Sequence, residues 1–200
     1  MRELLDSATA GLSNMNNADS SRLTSQMLAE LRPLWRIAWP LLIAQTAQIG
    51  TGVVDTLMAG NYSDADLAAI AVGFNIWLPL YLIILGTLFA CSAIVAQDFG
   101  AGRIERVRRF LPQGLWVAVA LSAVMTPLCL NSDMAIALLG LPEETAAKTS
   151  AYVSRVGLGF PALGIFMALR YHTQGLGITA PFAFASVVGF IANVPLNYML

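Results

Sequence analysis

Asp55 stands in an apolar stretch that runs from Ile37 to Gly60. An Asp at the centre of a membrane helix costs about 2.5–3.5 kcal/mol even on the lenient insertion scale, so such a residue usually faces a cavity or a transport route. At 100° per residue, Gln45, Gln48, Gly52 and Asp55 fall within one narrow arc. Lipid penalises a polar stripe of this kind, so the face is expected to point into a bundle. Asp55 lies about 27 Å along the helix from Ile37, which also allows a hydrated position near an interface. The two glutamines lie deeper and need partners of their own, which favours the buried, functional reading. A second pair, Asn193 and Asn197, is spaced i, i+4 with Pro195 between, so the two amides stack on one helix face. They can hold a carboxylate, a water or a cation, or they can act as interhelical glue.

These side chains need elements that cross a bilayer. The chain has 200 residues, of which 57% are hydrophobic and 12% charged, and its mean hydropathy is +0.68. A soluble domain carries about 25% charged residues. No Asp, Glu, Lys or Arg occurs in 37–54, 67–97, 110–132, 156–169 or 171–200. A crossing helix needs about 20 mostly apolar residues. The runs predict five spans, near 36–59, 68–97, 111–131, 150–170 and 180–200, and an all-α polytopic membrane protein. Residues 1–33 read as a polar tail with no apolar signal-peptide region. Leu23, Met27, Leu28 and Leu31 suggest at most a short amphipathic turn there. The last apolar run reaches Leu200 without a polar anchor, which reads as a chain cut near the end of its fifth helix.

Basic and acidic connections alternate. Arg22, Arg32 and Arg36 precede the first span, Arg103, Arg106, Arg108 and Arg109 join the second to the third, and Arg170 closes the fourth. Asp64 and Asp66, then Asp133, Glu143, Glu144 and Lys148, occupy the other connections. The positive-inside rule puts the N-terminus and the arginine-rich connection in the cytoplasm. The net charge of −1 offers nothing to nucleic acid.

Each span holds a proline: Pro40, Pro79, Pro127, Pro161 and Pro195. Kinks in all five would suit a protein that opens and closes. The glycines, Gly50 and Gly52 among them, read mainly as close-packing positions. Asn75, Trp77, Trp35, Trp39 and Trp116 read as interface anchors. Cys91 and Cys129 read as small packing residues, and His172 as a surface residue at a helix end. The arginine-rich connection could meet anionic lipid heads. No catalytic triad, Walker motif or metal-ligand spacing occurs, so neither an enzyme nor an ATP-driven pump is expected, and no cofactor.

The stretch from Gln45 to Gly60, with the run Gly50-Thr51-Gly52-Val53-Val54-Asp55 at its centre, resembles the first span of the multidrug and toxic compound extrusion (MATE) family, NorM-like branch. Ile76-Trp77-Leu78-Pro79 resembles its second span, and Gln97 with Gly100-Ala101-Gly102 the loop that follows. Ala168-Leu169-Arg170 is similar to the end of its fourth span, and Asn193-Val194-Pro195-Leu196-Asn197 to its fifth. The likeness covers about 33 to 200, and its order and spacing are more specific than any one motif. It implies five helices of a six-helix N-terminal lobe, within a twelve-helix transporter of the cytoplasmic membrane whose C-terminal lobe is absent here. It implies cation-coupled export of amphipathic or cationic drugs, with H⁺ or Na⁺ at Asp55 and a polar pair at Asn193 and Asn197. Some relatives carry an acid at the second of those positions, where this chain has Asn197.

The resulting expectation is exchange at Asp55. Gln45, Gln48, Asn193 and Asn197 would line the cavity, and Pro40, Gly50, Gly52 and Pro195 would serve as hinges. Apart from Na⁺ at Asp55, no metal is expected. Two rivals remain. A lipid-linked oligosaccharide flippase of related fold would need arginines inside its spans, where only Arg155 qualifies and lies near an end. An anchor or assembly subunit would be indifferent to Asp55.

Overall fold

The computed structural model describes residues 31–58, 60 and 63–199. The tail over 1–30, with its suggested amphipathic turn, lies outside the described residues. Seven helices follow: α1 (Leu31–Met58), α2 (Asp64–Gly100), α3 (Ile104–Leu130), α4 (Asp133–Ala137), α5 (Glu143–Gly157), α6 (Phe160–Gly175) and α7 (Ala180–Met199). Helices α1, α2, α3 and α7 are each long and apolar enough to cross a membrane. Together α5 and α6, bent by 45° at a short break, are long and apolar enough to count as a fifth.

Helix ends extend beyond the apolar runs. The acids Asp64 and Asp66 belong to the first turn of α2, not to a loop, because Ser63 caps it. The Ser63 hydroxyl accepts from the Asp66 N–H at 3.1 Å and donates to the Asp66 carboxylate at 2.5 Å, satisfying a free helix-end donor. Arg106, Arg108 and Arg109 likewise sit on α3. The connection itself is only 101–103, turned at Gly102 with φ 71°, a left-handed conformation suited to glycine.

The fourth expected span is broken, not continuous. Gly157, Gly159 and Pro161 surround the break, so helix propensity is low there and Pro161 lacks an N–H. Helix α3 supplies hydroxyl donors at the break, one of them to the Gly157 carbonyl that Pro161 leaves without a partner. Ser122 Oγ donates to Phe160 O at 3.0 Å and Thr126 Oγ1 to Gly157 O at 3.2 Å. Cys129 is buried against the same turn; a Cβ on Gly157 would overlap its Cβ. By contrast α1, α2, α3 and α7 run through their prolines as unbroken helices. Among the described residues only the fourth expected span is interrupted at its proline.

Helices α2, α3, α5 and α6 share one core, with Ile84, Leu88, Met125, Val153, Phe160 and Met167 inside it. Trp77 joins this core. Its ring stacks on Tyr81 at 4.8 Å and Phe160 at 6.1 Å, so it is not the interface anchor expected. The reason is its i, i+4 spacing from Tyr81, which puts both rings on the buried face. Trp35, Trp39 and Trp116 do face outward. Helices α1 and α7 form a separate pair with a small cluster of Ala44, Phe182 and Ala183. They are tied to each other near one end by Thr179 Oγ1, which donates to Ile37 O at 3.2 Å.

Candidate functional site

Asp55 faces α7, and both amides of the i, i+4 pair converge on it. Asn193 Nδ2 donates to Asp55 Oδ1 at 2.9 Å and Asn197 Nδ2 to the same oxygen at 2.6 Å. A weaker contact of 3.4 Å links Asn197 Nδ2 to Asn193 Oδ1. An ionised carboxylate only accepts, so both amides must present their NH₂ groups. No described cationic side chain forms an ion pair with Asp55. Its two partners are neutral amides, and Oδ2 receives no hydrogen bond from the described residues.

On its other side Asp55 borders a cavity of about 390 Å³ between α1, α2 and α5. Phe74 and Trp77 from α2, and Tyr152 from α5, supply an aromatic wall. Gly73 makes this possible: a Cβ there would come within 2.5 Å of Tyr152 Cδ1. Gly52 opens the α1 side, with nothing within 4 Å of where its Cβ would lie. Aromatic faces attract cations, and a volume of this size lies in the range of small-molecule sites, about 300–1,000 Å³.

The polar stripe of α1 does not form one wall. Gln48 borders a second cavity of about 550 Å³ between α1, α6 and α7, with Thr51, Ser186, Asn193 and Asn197. Gln45 instead accepts from Arg170 Nη2 at 3.5 Å. The stripe is split: Gln45 meets Arg170 of α6, Gln48 borders the cavity between α6 and α7, and Asp55 meets α7 and the α2–α5 cavity, while both glutamines stay exposed. Gly50 meets Phe190, whose Cε2 would lie 3.0 Å from an added Cβ, so it serves close approach of α7. Pro40 lies within the continuous α1, and Pro195 within α7 between the two asparagines.

Two polar residues of α6 sit differently from expectation. Arg170 does not close the helix, which continues to Gly175. Its guanidinium carbon lies 3.7 Å over the Phe182 ring and 5.2 Å from the Tyr171 centroid. A second arginine therefore lies inside a span, besides Arg155. His172 is half-buried, with Nδ1 enclosed and unpartnered among the described residues, not a surface group. Both differ because α6 runs on past Arg170 to Gly175, where Gly175 packs on Ser92 and Val95 of α2. Neither Phe74 nor Tyr152 was expected at the site from the sequence. The available signal was Gly73 amid large α2 residues, which marks a close approach.

Comparison with known proteins bears on the family and the fold. The MatE family model matches residues 40–199. The chain is 37% identical over 170 residues to the probable multidrug resistance protein NorM of Acinetobacter baylyi, covering 85% of this chain and 38% of that protein. It is 38% identical over 173 residues to the multidrug resistance protein PmpM of Pseudomonas aeruginosa, covering 86% and 36%. Among solved structures, an outward-facing multidrug resistance MATE transporter of the MOP superfamily superposes with a TM-score of 0.78 at 18% identity, over 82% of this chain and 37% of that one. A MOP superfamily transporter from Pyrococcus furiosus, for which a binding pocket of reversed polarity has been described, gives 0.72 at 19%, with the same coverage. These two likenesses establish the fold. The chain spans little more than a third of the length of its relatives. With the family model matching most of its length, this multi-pass membrane chain belongs to the MatE family.

Proposed function

We propose that this sequence is part of a cation-coupled antiporter that exports amphipathic or cationic drugs across the bacterial cytoplasmic membrane. Asp55 is the coupling carboxylate. The observation that carries this reading is the convergence of Asn193 and Asn197 on one oxygen of Asp55, beside an aromatic cavity of about 390 Å³. Drug and coupling cation compete for the same negative charge. A proton or Na⁺ arriving from outside neutralises Asp55, loosens its hold on a cationic drug and frees α1 to move relative to α7. Departure of the cation inward restores the charge. This exchange, repeated between outward- and inward-open states, is alternating access.

The driving force suffices without ATP. For a neutral drug exchanged one for one, the net charge crossing 100 mV supplies about 2.3 kcal/mol, equivalent to roughly a 50-fold gradient. For a monovalent cationic drug the exchange moves no net charge, and the concentration gradient of the coupling cation drives it at ~1.4 kcal/mol per tenfold. Alternation of basic and acidic helix ends supports a cytoplasmic N-terminus. Gly52, with open space around it, and Pro40 and Pro195 supply backbone freedom to α1 and α7.

The test is Asp55→Asn in a chain of the relatives' full length that carries this sequence. The amide preserves shape but cannot take up a proton or balance a cation. Expected is loss of drug resistance to the level of cells without the transporter, with normal membrane insertion. Wild-type resistance in that variant would sink the coupling role.

A further inference from the structure

We propose that a smaller cavity beside the Asp55 cavity is the entry vestibule through which a proton or small monovalent cation reaches Asp55, with Tyr152 as the barrier between them. This rests on the coupling role of Asp55 argued above. The vestibule has a volume of about 260 Å³, and its wall includes Asp66, Ile70, Lys148, Tyr152 and Arg155. Ile70 and Tyr152 also line the Asp55 cavity, so these two side chains divide one space from the other. Tyr152 is seated in the groove between α2 and α5 by the missing side chain of Gly73.

Size and charge both favour a small ion here. The volume is below the ~300–1,000 Å³ of drug-sized sites, while a polar space holding a few waters needs far less. Lys148 Nζ lies 2.9 Å from Asp66 Oδ1 and 3.0 Å from Glu144 Oε1. The Lys148 and Asp66 side chains are 35% and 37% exposed, so the mouth is wet. Counting Arg155, two cations balance two anions, and the vestibule neither traps nor repels a passing cation. Ion and drug then approach Asp55 from different cavities, so the ion need not wait for the drug's route to clear.

Removing one charge at a time tests this in a reconstituted full-length chain. Drug export is measured while Na⁺ and external pH are titrated separately. Lys148→Gln leaves a surplus negative charge, and Asp66→Asn a surplus positive one. The half-saturating cation concentration is expected to fall roughly threefold in the first and rise roughly threefold in the second. Both shifts should shrink at high ionic strength, and the half-saturating drug concentration should not move. Tyr152→Ala should leak cations without drug, whereas Tyr152→Phe should not. Shifts of equal sign, or none, overturn the vestibule, and a tight Tyr152→Ala variant that still exports drug overturns the barrier. Should Tyr152→Ala fail to fold, the charge variants at partly exposed positions still decide. Asp55→Asn separates the two ideas: if it keeps cation-driven export, the coupling role fails, while opposite shifts in the charge variants still identify the entry route.

Discussion

Two parts of this bundle are built in different ways. Helices α2, α3, α5 and α6 bury a continuous core that includes Ile84, Leu88, Val153 and Phe160, all at 0% exposure. Three of their glycines are filled by neighbours: Gly157 by Cys129, Gly164 by Ser122 and Gly175 by Val95. Helices α1 and α7 bury only Ala44, Phe182 and Ala183 as a cluster, and much of what joins their far halves is polar. Cavities flank α1 on two sides. Packing therefore sets the first region, while a carboxylate and two amides hold the second. Dense cores are bistable at best and resist small deformations. A contact made of hydrogen bonds to one ionisable group can be switched by a single ion.

That contrast can be broken from either side. The largest effect is expected from Gly157→Val, which forces a branched side chain into Cys129. Overpacking of this kind costs about 1–3 kcal/mol and sometimes more, and the site also carries the α5–α6 break. A clear drop in melting temperature and in folded yield in detergent should follow, and unchanged values would mean the core yields more than its packing suggests. Asn197→Ala should do the reverse. Removing the shorter of the two hydrogen bonds to Asp55 should lower drug export several-fold while leaving the melting temperature within about 1 kcal/mol-equivalent of the parent. Equal damage to stability and export would erase the distinction between the two regions. Gly50→Ala should be milder still. The atom it meets is the edge of the Phe190 ring, which can turn aside, so a change of no more than about twofold in export is expected from a small displacement of α7. Trp116→Ala marks the baseline. At 74% exposure this side chain lies mostly outside the bundle, and stability in detergent should stay within about 0.5 kcal/mol.

Much of the architecture was legible because lipid imposes a one-dimensional rule. Runs without charge marked the spans, and Asp55, Asn193 and Asn197 stood out as polar exceptions within them. What escaped was whatever depends on neighbours. Trp77 has the composition of an interface anchor, yet its ring lies between Tyr81 and Phe160. The stripe of Gln45, Gln48 and Asp55 is a true helical face, yet three different surroundings meet it along its length. The fourth span looked continuous because hydropathy cannot see a break at which another helix supplies hydroxyl donors.

Hydrophobicity, helical period and the cost of a buried charge sufficed to establish a helical membrane protein with one exceptional carboxylate and a stacked amide pair. These are local or periodic properties, carried by the chain itself. Only the tertiary structure decided that the amides close on that carboxylate from 138 and 142 residues away, that Phe74, Trp77 and Tyr152 wall its cavity, and that Arg170 turns to Gln45. The physical reason is that helix packing brings together side chains from distant turns, and periodicity within one helix holds no information about which face of another it will meet.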